Sequence, residues 1–103
     1  MFRRKRFRDV IDRQLAFFED EDADLLDDVD RALDKYNRAD RDEAEELYGD
    51  YQLAIEAATD RLAESRDAYA RTLDEDEAEQ YVHEFNRSVV DRWRALALTI
   101  EES

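Results

Sequence analysis

One glycine and no proline in 103 residues leave this chain almost none of the punctuation that hairpins and loops require. Glycine supplies the positive φ of tight β-turns and proline the fixed φ of many loops, so a chain without them has few ways to reverse between strands. Ala, Leu, Glu, Asp and Arg, abundant here, are the residues of helices and their termini. The composition therefore predicts an all-α fold. At 43% hydrophobic with eleven aromatics, it carries the apolar surface that offsets chain entropy and that acidic disordered tails lack. Its length suits one domain.

Hydrophobic spacing divides the chain into three helical segments. Ile11, Leu15, Phe18, Leu25, Val29, Leu33 and Tyr36 recur at steps of three, four or seven, one face of a helix expected from Asp9 to Arg38. Asp22 interrupts that seam, between Phe18 and Leu25, and marks a place for the helix to bend. Asp40 with Glu43 has capping-box spacing and predicts a short turn followed by a second helix, carrying Ala44, Leu47, Tyr51, Ala54 or Ile55, Ala58, Leu62, Tyr69 and Leu73. Gly49 falls inside it without a following cap, so the helix is expected to run through. Asp74 with Glu77 repeats the signal ahead of a third helix, whose inner face holds Val82, Phe85, Val89, Trp93, Leu96 and Ile100. Helices of about 30 residues are about 45 Å long, and tight turns make neighbours antiparallel. The expected architecture is an elongated up-down-up three-helix antiparallel bundle with coiled-coil-like packing and a thin core, open to self-association.

Chemical possibilities narrow quickly. No cysteine is present, which removes disulfides, thiolate nucleophiles and thiolate metal sites. The basic start is followed by "DVIDRQLAFFEDED", too charged for a secretory h-region, and no stretch approaches the ~20 apolar residues of a membrane span. A cytoplasmic protein is expected. Asp outnumbers Glu, and two lysines stand against fourteen arginines in a chain of formal charge -14. That texture resembles the acidic proteins of extreme halophiles, which stay soluble in concentrated salt.

The carboxylates include Glu43-x-x-Glu46 and Glu64-x-x-Asp67. This pairing resembles the metal-binding signature of the all-helical MazG-type nucleotide pyrophosphohydrolases, and the resemblance implies magnesium-dependent hydrolysis of nucleotides. On a continuous helix Glu46 and Glu64, eighteen residues apart, stand about 27 Å apart, whereas one magnesium binds oxygens at about 2.0–2.1 Å. "DYQLAIEAATD" offers no turn to bring them together. His83 is the sole histidine, and a ferritin-like di-iron site needs two Glu-x-x-His motifs. No cofactor, metal or small-molecule ligand is expected, and the aromatics, at seam positions, are read as core. Phe17, beside Phe18, has no place on the seam.

The charge distribution singles out one segment. Arg3, Arg4, Lys5, Arg6 and Arg8 give residues 1–8 a charge of +5, leaving the other 95 residues at -19. Cations before a helix oppose its macrodipole, so the expected division is a basic N-terminal arm, 1–8, and a helical-bundle domain, 9–103, whose packing does not require the arm. The arm can lie as a counterion on acidic faces of this chain or a neighbour, contact nucleic-acid phosphates, or touch an anionic membrane surface. With catalysis ranked behind both, the sequence points to a non-enzymatic helical interaction or scaffold protein, open to self-association, with nucleic-acid association through the arm as the alternative.

Overall fold

The structure is a computed structural model that describes residues 6–103. Among them lie five α-helices and no strand: α1 (Arg8–Glu21), α2 (Ala23–Asn37), α3 (Arg41–Ala70), α4 (Glu75–Arg92) and α5 (Ala97–Glu102), with a 3-10 turn, Arg94–Leu96, between the last two. The all-α expectation holds. The three-helix description is corrected at two points, each with a local cause.

The first correction lies at Asp22, where the expected Asp9–Arg38 helix is divided into α1 and α2. Asp22 leaves helical geometry (φ -116°, ψ 32°) while its N–H still bonds Phe18 O at 2.8 Å. A carboxylate cannot enter the seam between Phe18 and Leu25 without an uncompensated desolvation cost. It turns instead toward α3, where Arg61 Nε stands 3.4 Å away. The second correction lies at Trp93, where extended backbone (φ -135°, ψ 86°) ends α4. The chain then doubles back as the 3-10 turn and α5.

Between these points the expected signals operate. The Glu43 carboxylate accepts from Asp40 N–H at 3.5 Å at the start of α3, and the Asp74 carboxylate accepts from Glu77 N–H at 2.8 Å at the start of α4. Helix α3 runs unbroken through Gly49 for 30 residues. Asp22–Arg61 at one end and the Tyr36–Tyr48 ring pair, 5.2 Å between centroids, at the other place α1 and α2 antiparallel to α3. Tyr69–Tyr81 and Arg66–Asn86 contacts make α4 antiparallel to α3 as well, so α1 and α4 lie side by side and parallel.

The core sits where α1, α4, α5 and the C-terminal half of α3 meet. Ile11, Leu15, Leu62, Tyr81, Phe85, Val89, Leu96 and Ile100 are there at 2% exposure or less, each large apolar side chain worth about 1.5–3 kcal/mol of burial. Phe7 joins them at 7% exposure, its ring edge-on to Tyr81 at 5.5 Å. The expectation that packing does not require residues 1–8 is thereby corrected: Phe7 stands one helical step before Ile11 and continues the same stripe.

Because α4 stops beside Phe18, whose ring is 5.5 Å from that of Trp93, α2 and the N-terminal half of α3 extend past it as a two-helix hairpin. No residue from Asp30 to Ala54 is buried. The molecule measures 55 × 27 × 24 Å, a compact body with a projecting arm of two helices.

Candidate functional site

The five cations that charge patterning singles out do not form one described site. Arg3, Arg4 and Lys5 lie outside the described residues. The Arg6 guanidinium pairs with the Glu77 carboxylate on α4 and lies 5.6 Å from the Phe7 ring centroid. Phe7 N–H donates to Glu84 Oε1 at 3.3 Å. Arg8 opens α1 and lines a groove with Asp12, Glu84 and Asp91. The part of the arm that is described thus lies along acidic residues of this same chain.

The paired carboxylates remain apart. Glu43 and Glu46 stand in the first turns of the unbroken α3, and Glu64 and Asp67 near its other end, with Glu46 and Glu64 about 27 Å apart along the axis. Asp67 is occupied by Arg66 Nε at 2.8 Å. Among the described residues no group of three or more His, Asp or Glu side chains could hold a metal ion. His83 is exposed on α4.

The surface does concentrate apolar side chains at places where no helix covers them. Phe17 is 67% exposed and Leu53 65%, on α1 and α3 respectively. Phe17 edges a groove between α1 and α3 floored by Phe18, Leu62 and Ala68. Leu53 edges a groove of about 490 Å³ between α2 and α3 on the hairpin, with Ala32, Leu47 and Ala54 on its floor. On another side of the hairpin Tyr36, Tyr48 and Tyr51 form a chain of tilted rings, 5.2 and 6.4 Å between centroids. Burial, with the neighbouring Tyr48 hydroxyl, raises the pKa of Tyr51.

Three interior features carried no sequence signal. Arg66 is 3% exposed; its Nη1 donates to Asn86 Oδ1 at 3.0 Å, Ser103 Oγ at 2.8 Å and Ile100 O at 3.4 Å. One guanidinium thereby ties α3 to α4 and to the end of α5. Thr59 and Thr99 hydroxyls, 2.7 Å apart, make a second tie between α3 and α5. Tyr81, off the expected seam, is fully buried and donates to Gln14 Oε1 at 2.8 Å. Its burial pushes its pKa up to about 12, more than the Gln14 hydrogen bond lowers it.

Comparison with protein-family models, with curated proteins and with solved structures finds no match. Among the described residues no helix is long and apolar enough to cross a membrane.

Proposed function

We propose that this chain is a non-enzymatic helical interaction protein that works by presenting helix faces to protein partners. The observation that carries this reading is the α2–α3 hairpin, which extends past α4 with no buried residue from Asp30 to Ala54 and with Leu53 standing 65% exposed beside a groove that also holds Ala32, Leu47 and Ala54. Apolar side chains already set on helical backbone give up less conformational entropy on docking than those of an unstructured segment, which favours their use as contacts. A body of 30 acidic against 16 basic side chains disfavours association everywhere except where apolar surface is grouped. The same acidity would keep such a protein dispersed in a salt-rich cytoplasm.

The phosphate-binding alternative, through Arg3, Arg4, Lys5, Arg6 and Arg8, gains less support, because Arg6 is already paired with Glu77. Co-purification from native cells separates the readings. The full chain, with Leu53→Asp and Phe17→Asp variants beside it, should retain identified protein partners after nuclease treatment and lose them in at least one variant. Partners released by nuclease would instead point to nucleic acid. Release of pyrophosphate from nucleoside triphosphates with magnesium, abolished by Glu46→Gln or Glu64→Gln, would overturn the non-enzymatic reading.

A further inference from the structure

Resting on that reading, we infer that the hairpin groove between α2 and α3 is the docking face for a second copy of this chain, joined through a two-fold axis into a four-helix arrangement. Charge sets this groove apart. Residues 23–55 hold eleven acidic and four basic side chains, a net of -7, and most of that surface repels another copy. The groove is the exception. Its rim is Asp28, Asp50, Arg31 and Lys35, two of each sign around Ala32, Leu47 and Ala54; Arg31 Nη2 holds Asp28 Oδ1 at 2.8 Å within the chain, an exposed pair that water screens and that leaves the second Asp28 oxygen for a cation of another copy.

The order of those residues is what a two-fold interface needs, since residue i of one copy must meet residue j of the other and j must meet i. Asp28 and Lys35 lie seven residues apart on α2, about 10 Å along the axis, on either side of Arg31 and Ala32. On α3, Leu47 and Leu53 lie three residues either side of Asp50. A two-fold axis crossing the hairpin at Ala32 and Asp50, with the two hairpins pointing in opposite directions, sets Lys35 of each copy against Asp28 of the other. The same operation sets Leu53 of each against Leu47 of the other. The two Asp50 carboxylates, near the axis, have the two Arg31 guanidinium groups beside them. Opposed hairpins also keep the two wider bodies at opposite ends, where they do not collide. Stacked in this way, the two hairpins cover Leu47, Leu53 and Ala54 of each copy, which neither hairpin covers alone.

The test is sedimentation equilibrium of the purified full chain over a concentration series in about 0.15 M salt, where a screening length of about 8 Å damps the distant like charges and leaves contact pairs acting. The expected result is a monomer–dimer equilibrium approaching twice the 12.3 kDa chain mass. Leu53→Asp, at an exposed site that the fold does not need, should weaken it at least about tenfold with the circular dichroism unchanged. Lys35→Asp should also weaken it about tenfold, and Asp28→Lys combined with Lys35→Asp should recover native association to within about threefold. A native chain that stays monomeric to about millimolar concentration, a dimer indifferent to Leu53→Asp, or a charge exchange that restores nothing would overturn the inference. A monomeric chain that still holds protein partners in native cells would overturn the second copy alone and leave the interaction reading standing.

Discussion

Tyr81 shows how a single buried side chain ties three elements together. Its ring touches Phe7, Tyr69 and Phe85, and its hydroxyl reaches Gln14 on α1. With its folded pKa near 12 against an ordinary 10, the native state keeps a proton that the unfolded chain releases. Stability from this group is therefore full below about pH 10 and is lost as pH rises toward 12, by about 2 kcal/mol. Denaturant titrations from neutral to alkaline pH should show a steeper loss for the native chain than for Tyr81→Phe. Equal slopes would mean that this hydroxyl is not protected. Arg66 makes a second residue-scale case. Truncation in Arg66→Ala leaves Asn86 Oδ1 without its buried donor and frees Ser103, while Ile100 O keeps the Ser103 hydroxyl; it should cost about 1–3 kcal/mol, with proteolysis first at α5. Arginine in "ESRDAYA" reads as a surface residue, because nothing in its neighbours in sequence says that α5 will return to cover it. Phe7 was legible: it lies four residues before Ile11, and the surrounding cations concealed a step of the apolar stripe.

At the scale of elements, local chemistry wrote most of the boundaries. Asp40 with Glu43 and Asp74 with Glu77 announce α3 and α4 because a cap needs only residues three apart. Asp22 signals the α1–α2 break through the misfit of a charge on an apolar seam. The reversal after Trp93 has no such mark, since "DRWRALALTI" continues the helical spacing and contains neither glycine nor proline. What ends α4 is tertiary, with the Trp93 ring against Phe18 and Leu96 and Ile100 turning into the core. The groove edged by Leu53 is illegible for a related reason, because α2 and α3 line it jointly and only their tertiary pairing brings those residues together. Gly49 tests the element logic separately. It is helical with no positive φ, and a Cβ there would meet nothing within 4 Å. Gly49→Ala should raise stability by about 0.5–1 kcal/mol in urea titrations, and a loss would show that α3 is not a regular helix at that point.

For the whole molecule, a charge of -14 sets the response to salt. Most ion pairs among the described residues are exposed, and three of the six join residues three or four apart on one helix, so they offset little of the repulsion between acidic faces. Screening should stabilise the fold. Raising potassium chloride from about 0.1 M to about 2 M should increase Tm by about 5–10 °C, the equivalent of about 1–2 kcal/mol for a chain of this size. A flat or falling Tm would contradict the halophilic reading of the composition.

The central claim is that a closed body and an open two-helix hairpin share one unbroken helix, α3. Hydrogen exchange read along α3 at concentrations low enough to keep the chain monomeric tests this most directly, because local opening follows the lack of buried contacts. Two classes of amide are expected within the one helix: residues 58–66, packed among α1, α4 and α5, exchanging only with global unfolding, and residues 44–54 exchanging much faster together with α2. Uniform protection from Arg41 to Ala70 would mean that the hairpin is covered along its length, and would contradict the architecture on which the proposed function stands.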